Sequence, residues 1–415
     1  MQNPALDMHA LIARLFPICR SITGDGVRET LRILREHIPI EVREVPTGTE
    51  VFDWTVPKEW NVSDAWIKDA KGRKLIDFRK LNLHVINYSS AIHQRMRLDE
   101  LRQHLFTDPE RPTVVPYRTT YYEESWGFCL SEEQFAQFED AQEYEVLIDS
   151  SLQEGYLTYG ECFLPGEEEN EVLVSCHICH PSLANDNLSG VAVAAAWARE
   201  LAGRSHRYSY RFLFIPGTIG AITWLARNEA VLPRIQHGVV LTCLGDASDL
   251  TYKRSRRGDA VIDRAFCHVL KHSGQPHSII DFFPYGYDER QYCSAGINLP
   301  VGCLMRGRHG EFPEYHTSAD NLNFVRPDAL ADSLAKCLAV VEVLEGNRVY
   351  LNRKPKGEAR LGKRGLRSDL ALLWVLNLSD GDHSLLDIAE RAGLSFATIK
   401  EAAGALSATD LLDPL

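Results

Sequence analysis

The central part of the chain, from about residue 171 to residue 347, alternates between short apolar runs and amphipathic stretches. The apolar runs are rich in β-branched, aromatic or leucine residues and end in polar or turn residues, which predicts buried strands. The amphipathic stretches carry apolar residues at three- and four-residue spacing, which predicts helices. The predicted strands are Val172–Cys176, Tyr208–Ile215, Gly238–Leu244 and Leu299–Leu304, and the predicted helices are Gly190–Leu201, Ile219–Asn228, Ala260–His272 and Pro327–Leu344. This alternation is typical of an α/β core with a sheet flanked by helices.

Between residues 51 and 143 the pattern changes to short apolar runs with many aromatic residues and prolines. The turn Lys71-Gly72 separates two of these runs, Ala65–Lys68 and Lys74–Phe78, as expected of a β-hairpin. A helical segment, Asp7 to His37, precedes this region, and the α/β alternation resumes after it. We therefore predict a small β-rich domain, residues 51–143, inserted into an α/β domain that comprises residues 1–50 and 144–350.

The chain after the basic linker Arg353 to Arg367 predicts a further domain, residues 355–415. Short turns separate its helical stretches, which is the pattern of a helix-turn-helix or winged-helix domain. The predicted helices are Ser368–Leu378, Leu385–Ala392 and Ser395–Leu406.

The charge of the chain argues against nucleic-acid and membrane partners. Its formal net charge is -12, so phosphate backbones and anionic membranes gain no general attraction. From Ser368 onward eight acidic residues stand against two basic ones, Arg391 and Lys400, so we expect this domain to pack on the core or to mediate assembly into a homo-oligomer rather than to bind DNA.

Targeting signals are not expected in this sequence. The first residues, Met1 to Ala13, lack the features of a secretion signal, and no stretch has the roughly 18 apolar residues of a membrane span. We expect a cytoplasmic protein whose ten cysteines are reduced.

The segment from Ser175 to Gly190 gathers two histidines, two cysteines and an aspartate where a predicted strand gives way to a helix. Three interpretations are open. Cys176, Cys179 and His180 formally match a haem-attachment motif, or the two cysteines hold a structural zinc. Alternatively, His180 and Asp186 bind a hydrolytic zinc. The lack of an export signal and of a second cysteine pair disfavours the first two interpretations.

A catalytic zinc needs about three protein ligands and an open position, and paired zinc ions share a bridging carboxylate. Asp186 is the candidate bridge. His316, in a polar loop before the last core helix, and Asp246, shortly after the strand Gly238–Leu244, are further candidate ligands. Taken alone, each of these residues is as expected of a helix cap or a hydrogen-bond partner in a loop. Because they follow successive strands, however, they should lie at one edge of the predicted sheet.

Several short motifs together resemble the zinc-exopeptidase superfamily that contains the M28 aminopeptidases. They are His180, Asn185–Gly190, Pro216–Gly220, Gly245-Asp246, Tyr287–Arg290 and Tyr315–Ser318. More closely, the chain resembles a bacterial aminopeptidase-like family (DUF4910) with an inserted β-rich domain (DUF2172) and a C-terminal winged helix. Because Arg20–Gly26, Phe52–Trp60 and Glu124–Cys129 match that family as well, the resemblance covers nearly the whole chain.

The resemblance implies a zinc-exopeptidase fold and a zinc-dependent aminopeptidase-type hydrolase that acts on a short peptide or an aminoacyl amide. It places metal ligands at His180, Asp186 and His316, for one or two zinc ions. A further strand-end ligand is Asp246 or, with a shifted alignment, Thr242.

Gly217 departs from the pattern of the superfamily. Typical members carry two consecutive glutamates after a strand, a general base and a zinc ligand, whereas this chain has Gly217 and Thr218 there. A general base typically contributes about 10²–10⁴-fold in rate. Three explanations remain open: a hydrolytically silent pseudoenzyme that recognises an amine-bearing ligand, a deliberate replacement of the glutamate, or a substitute base among Glu311, Glu314 and Asp288.

Charged residues in two other segments are candidates for contacts with the ends of a substrate. Asp288 or Glu289 suits a free α-amino group, whereas Arg306 or Arg308 suits a carboxylate or a phosphate. A surface ion-pair network explains the same residues equally well.

Overall fold

The computed structural model describes residues 4–415, which form a mixed α/β sheet domain, a β-rich insert and a C-terminal winged helix. Residues 1–3 of the predicted first domain lie outside the described residues. Before the insert, the chain forms α1 (Pro4–Leu15), α2 (Asp25–Leu34) and β1 (Glu41–Pro46). The inserted segment forms β2 (Glu50–Val51), β3 (Trp54–Thr55), β4 (Glu59–Lys68), β5 (Lys74–Asp77), β6 (Ile92–Arg97), α3 (Leu98–Leu101), β7 (Leu105–Phe106), β8 (Phe128–Cys129), α4 (Glu132–Phe135) and β9 (Glu143–Gln153).

The core then resumes and is followed by the C-terminal domain. The core elements are β10 (Tyr156–Leu164), β11 (Glu171–His177), α5 (Gly190–Ala202), β12 (Ser209–Ile215), α6 (Ile219–Arg227), β13 (Ile235–Leu241), β14 (Leu250–Lys253), α7 (Val261–Lys271), β15 (His277–Ile280), α8 (Glu289–Tyr292), β16 (Val301–Met305) and α9 (Pro327–Gly346). The last elements are β17 (Val349–Asn352), α10 (Leu370–Leu378), β18 (Asp380–Ser384), α11 (Leu385–Ala392), α12 (Phe396–Ser407) and β19 (Leu412–Pro414).

The main sheet has eight strands in the order β1-β10-β12-β11-β13-β16-β14-β15. Its four central strands, β12, β11, β13 and β16, run parallel, while β1, β10 and β14 join through antiparallel pairings. Every residue of β11 and β12 is buried, as expected for parallel strands covered by helices on both faces. The carboxyl ends of the central strands therefore meet at one edge, where the loops that follow them can build a site.

The predicted α/β core is confirmed, with all eight predicted strands and helices present within a few residues of their expected bounds. The predicted Pro327 start of the last core helix is also confirmed, because α9 begins at that residue. The pattern did not reveal β1, β10, β14 and β15, which are short or lie toward the sheet edges.

The insert is built around a four-stranded antiparallel sheet in the order β5-β4-β9-β6. Because β9 pairs along the length of β4, this sheet extends to Gln153, past position 143 where the sequence pattern placed its end. The chain enters and leaves the insert at one point, where Thr47 N donates a hydrogen bond to Gly155 O at 2.9 Å.

The C-terminal domain packs on the helical face of the core. Its buried apolar side chains belong to the same hydrophobic cluster as those of α7 and α9. At the start of α12, Phe396 N donates to His268 Nε2 at 2.9 Å, and Arg264 pairs with Asp387 and Glu390. The core therefore covers the N-terminal end of the second helix of the helix-turn-helix.

Among the described residues, no helix has both the length and the apolar character that crossing a membrane requires.

Candidate metal centre

Three histidines gather around the buried carboxylate of Asp186. His177 is the last residue of β11, and its Nε2 lies 2.8 Å from Asp186 Oδ1. His316 lies in the loop before α9, and its Nε2 lies 3.0 Å from Asp186 Oδ2. The ring of His180 lies 4.8 Å from that of His177 and 5.3 Å from that of His316. The structure thus brings together the three residues His180, Asp186 and His316 that the sequence singled out.

His177 is the residue that sequence reasoning missed. It lies beside Asp186 and belongs, with His180, to a group whose ligand atoms are all within 4.8 Å of one another. The C-x-x-C-H spacing indicated His180 as the ligand, although His177 is the histidine at the end of the predicted strand. The rule that sites form at strand ends could have identified it.

Asp186 is held in place by a second buried carboxylate, that of Asp320. The backbone N–H groups of Asn185 and Asp186 donate to the two oxygens of Asp320 at 2.6 and 2.9 Å. Burial raises the pKa of Asp320 to about 8. Burial alone would also raise the pKa of Asp186, but His180, His177 and His316 hold it well below its ordinary value. Asp186 therefore remains a carboxylate with one imidazole at each oxygen.

Burial keeps two of the histidines neutral. It lowers the pKa of His180 well below its ordinary value, and it lowers the pKa of His177 despite the hydrogen bond to Asp186. Neutral imidazoles with a carboxylate between them are the donor set that zinc prefers. These residues therefore fit a zinc ion.

Non-glycine residues with a left-handed backbone lie at the same sheet edge. His316, Thr218 and Cys243 have φ values of 52°, 49° and 48°. Such conformations cost energy and cluster at functional sites. For His316, the backbone is anchored by Tyr117 of the insert, whose N donates to His316 O at 2.7 Å.

Asp246 lies apart from the histidine cluster and has other partners. Its Oδ2 accepts hydrogen bonds from Asn185 Nδ2 and Gly307 N, and its Oδ1 accepts one from Ser248 N. Through these contacts Asp246 braces the loops that carry Asn185, Ser248 and Gly307. Thr242, the alternative, lies 3.2 Å from Nε2 of His309 through its Oγ1.

The cysteines of the motif do not form a metal-binding pair. Cys176 Sγ contacts Leu213 O at 3.6 Å, whereas Cys179 Sγ accepts from Gly217 N at 3.2 Å and lies 3.5 Å from Tyr287 Oη. Cys179 therefore lies against the wall of the site instead of joining Cys176.

Tyr287 fills the space beside Gly217. Its ring stacks on His177 with centroids 3.6 Å apart, and a Cβ at position 217 would collide with the phenol group. Any side chain at position 217 therefore requires Tyr287 to move.

None of the three candidate substitute bases lines the cavity of the site. Glu311 is exposed and pairs with Arg308 at 3.7 Å, and Glu314 is half-buried in the loop that precedes His316. Asp288 is buried behind Thr218, whose N donates to its Oδ1 at 3.0 Å. Burial raises the pKa of Asp288 to about 7.

The residues expected to bind substrate ends are also engaged elsewhere. Glu289 is fully buried and pairs with Lys253 at 2.8 Å. Arg306 donates to Ser248 O at 2.8 Å and pairs with Asp332 at 2.5 Å, away from the histidines. Buried ion pairs of this kind position loops and leave no group free for a ligand.

A cavity of about 540 Å³ opens in front of the cluster and is lined by both the core and the insert. The core side of the cavity includes His180, His316, Gly217, Thr218, Tyr287 and Arg290. The insert contributes Trp54, Tyr117, Arg118, Thr119, Tyr121 and Tyr122. Since the ring of Tyr117 lies 5.1 Å from the rings of both His180 and His316, the insert forms one wall of the candidate metal centre.

Comparisons with known proteins agree with this architecture. A crystal structure of a putative peptidase from Clostridium acetobutylicum is 53% identical, with a TM-score of 0.97 over 99% of this chain and 96% of that one. A putative polysaccharide biosynthesis protein with aminopeptidase-like domain, also from Clostridium acetobutylicum, is 52% identical over 98% of this chain and 96% of its own length. BSAP, a zinc aminopeptidase from Bacillus subtilis, shares the fold at 15% identity, with a TM-score of 0.59 over 83% of this chain and 95% of that one.

Two family models divide the chain at residue 347. The model of a winged helix-turn-helix matches residues 348–414, which confirms the predicted type of the C-terminal domain. The model described as a domain of unknown function, DUF4910, matches residues 9–347. The chain therefore belongs to the DUF4910 family, whose aminopeptidase-like fold is joined here to a winged helix-turn-helix domain.

Proposed function

We propose that the protein is a zinc-dependent hydrolase of the aminopeptidase type that acts on a short peptide or an aminoacyl amide. The observation that carries this proposal is the convergence of His177, His180 and His316 on the single buried carboxylate of Asp186. The aminopeptidase-like fold supports it at the level of the family.

The donor set favours one zinc ion over two. A second ion would need further carboxylates, but Asp246 is engaged by three hydrogen bonds, and Gly217 and Thr218 offer none. A zinc ion bound by the histidines and Asp186 would supply Lewis-acid polarisation of the scissile carbonyl. Asp320 would keep Asp186 oriented through the backbone, and Tyr117 would keep a substrate on the open side of the cluster.

A second candidate function is that of a metal-binding protein without hydrolysis that recognises an amine-bearing ligand. The observation that favours it is the absence of a side chain at Gly217, whose place beside the cluster is filled by the ring of Tyr287. Both functions require the metal, so they differ in turnover alone.

Metal content and turnover together test the proposal. We expect the purified protein to bind about one zinc ion per chain by elemental analysis, and Asp186→Asn to lose it. Aminoacyl p-nitroanilides should be hydrolysed faster by the zinc-loaded protein than by the metal-free protein. A protein that binds no zinc contradicts both candidate functions.

Restoring a carboxylate at position 217 separates the two functions. We expect Gly217→Glu to raise turnover by about 10²–10⁴-fold, the usual contribution of a general base. The ring of Tyr287 must then shift, which a crystal structure of the variant checks. Gly217→Gln is the matched control, because it makes the same steric change without a base and should stay at the original rate. Zinc binding with turnover in Gly217→Glu but none in the wild type favours the silent function, whereas turnover already present in the zinc-loaded wild type supports the hydrolase.

A further inference from the structure

The cavity in front of the histidines is lined by two arginines that form no ion pair with any described residue. Arg118 and Arg290 line it, and no aspartate or glutamate of the described residues does so. Within residues 4–415, neither guanidinium takes part in an ion pair; that of Arg290 donates one hydrogen bond, and that of Arg118 lies over one aromatic ring. Unpaired arginines in a cavity are the groups that bind carboxylates and phosphates.

Arg290 approaches the cavity from the core. It is half-buried, and its Nε donates to Tyr287 O at 3.2 Å, which leaves its terminal nitrogens without a protein partner among the described residues. Its neighbour Asp288 is turned toward Thr218 N and is buried. Since burial raises the pKa of Asp288 to about 7, this carboxyl offsets the charge of Arg290 only in part.

Arg118 approaches the cavity from the insert. Arg118 directly follows Tyr117 in the chain. Because the backbone N–H of Tyr117 donates a hydrogen bond to His316 O, the backbone of Arg118 is held close to the histidine cluster. Its guanidinium lies over the ring of Phe106 at 4.7 Å, a contact that leaves the N–H groups at its edge available.

Aromatic side chains of the insert add an exposed apolar surface to the same cavity. The rings of Trp54 and Tyr122 lie 5.4 Å apart and are 43% and 49% exposed. Such exposed rings bury apolar or planar parts of a ligand while the arginines hold its charge.

Among the described residues that line this cavity, no carboxylate is present to pair with a basic side chain of a ligand. Asp186 has an imidazole at each oxygen, and Glu289 is buried against Lys253. The charge of the cavity thus selects against basic ligands and for acidic ones.

We propose that the cavity selects an amide substrate that carries an anionic group, a carboxylate or a phosphate, which binds between Arg290 and Arg118. This inference rests on the proposed function for the amide, but the selection of charge can be measured as binding without any hydrolysis.

Pairs of probes that differ by one anionic group test whether the cavity selects for negative charge. Their affinities for the zinc-loaded full chain are measured by calorimetric titration. L-α-glutamyl-p-nitroanilide and L-glutaminyl-p-nitroanilide differ by one carboxylate, and O-phospho-L-serinamide and L-serinamide differ by one phosphate. We expect the anionic member to bind about ten- to hundredfold more tightly, as is typical of a charge-assisted hydrogen bond. Tighter binding of the glutamyl than of the glutaminyl probe would show that the cavity binds a carboxylate. If only the phosphoserine probe binds more tightly than its partner, the bound group is a phosphate. L-lysyl-p-nitroanilide should bind most weakly.

Substitutions test whether the arginines, rather than the metal, cause the tighter binding of the anionic probe. Arg290→Gln and Arg118→Gln should each reduce the ratio of affinities within a probe pair about tenfold or more. The control Arg95→Gln removes an equal charge from an exposed position on β6, where Arg95 lies 3.6 Å from Glu145, and should leave the preference unchanged.

Two outcomes overturn the inference: equal binding of both members in both pairs, or a preference that survives in both arginine variants. Neither outcome bears on hydrolysis, since turnover of the glutaminyl anilide reports the proposed function separately. Conversely, a preference that both variants abolish supports the inference even if no probe is hydrolysed.

Discussion

The insert and the C-terminal domain are both attached to the same α/β core, but only the insert reaches the candidate metal centre. Six of the residues that line the cavity belong to the insert, and none belongs to the C-terminal domain. The insert is anchored by Tyr117 N on His316 O, at the carboxyl edge of the sheet. The C-terminal domain is anchored by Phe396 N on His268, on the helical face.

The difference shows that the place of attachment decides what an added domain contributes. A domain attached at the carboxyl edge of the parallel strands lies next to the loops that form the candidate site, so its side chains can line that site. Side chains on the outer helices contribute to stability, through buried apolar area and through the polar contacts of Arg264 and His268. The insert should therefore affect metal and ligand binding, and the C-terminal domain should affect unfolding.

The largest expected effect is on stability, from Phe396→Ala. Phe396 is 5% exposed and lies against Gly346 at the end of α9, so its removal leaves a cavity between the domains. We expect the free energy of unfolding to fall by about 3 kcal/mol, as for other buried phenylalanines. Denaturant unfolding measures this change, and zinc affinity should not change. Leu370→Ala, at a position 62% exposed in the same domain, is the control and should have little effect. Weakened zinc binding in Phe396→Ala contradicts the comparison.

An intermediate effect is expected on zinc affinity, from Tyr117→Ala. The ring of Tyr117 contacts both His180 and His316, so its loss frees both imidazoles to move. Residues that orient metal ligands typically change metal affinity by about 10–100-fold, and we expect about tenfold. Competition with a chromophoric chelator measures the change. Tyr117→Phe keeps the ring and loses only the contact with the hydroxyl of Tyr121, so it should bind zinc normally. Equal affinities in wild type and Tyr117→Ala would show that the insert does not support the site.

The smallest expected effect is a pH dependence of stability at the interface with the C-terminal domain. Burial, with the nearby charges of His272, Lys271 and Arg264, lowers the pKa of His268 from 6.5 to about 4. The unfolded chain therefore binds a proton more readily than the folded chain, and stability falls as the pH drops below about 6.5. Between pH 7.5 and pH 6 this loss should be roughly 1 kcal/mol.

His268→Gln tests this pH dependence. The introduced glutamine can still accept the hydrogen bond from Phe396 N through its amide oxygen, but it does not titrate. Thermal unfolding at the two pH values should show a smaller pH-dependent loss in the variant than in the wild type. Identical losses would exclude His268 as the titrating group.

The sequence allowed much of the core to be predicted because fully buried strands such as β11 and amphipathic helices such as α7 have strong periodic patterns. Strands β14 and β15, four residues each, are too short to show a period. The end of the insert sheet was placed too early because β9 itself, with its alternation of buried and more exposed residues, was not recognised as a strand of the insert.

The convergence of Asp186 and His316 could be predicted from the motifs in the loops that follow β11 and β16. His177 was missed although it lies at the end of a predicted strand, because the motif pointed to His180 three residues later; both histidines belong to the cluster. The roles of Asp246, Glu289 and Arg306 depended on partners far away in sequence, such as Asn185, Lys253 and Asp332. Charge and position along the chain do not reveal such pairings.

The hydrogen bond from Thr47 N to Gly155 O has an evolutionary consequence. Because the insert starts and ends at one point on a strand pair, a different module with closely spaced termini can replace it without disturbing the sheet. The wall of the cavity that carries Trp54, Tyr117 and Arg118 is then exchangeable, while the core strands and loops that carry the histidines and Asp186 are kept. Relatives can in this way acquire new ligand preferences by module replacement, without rebuilding the core side of the cavity.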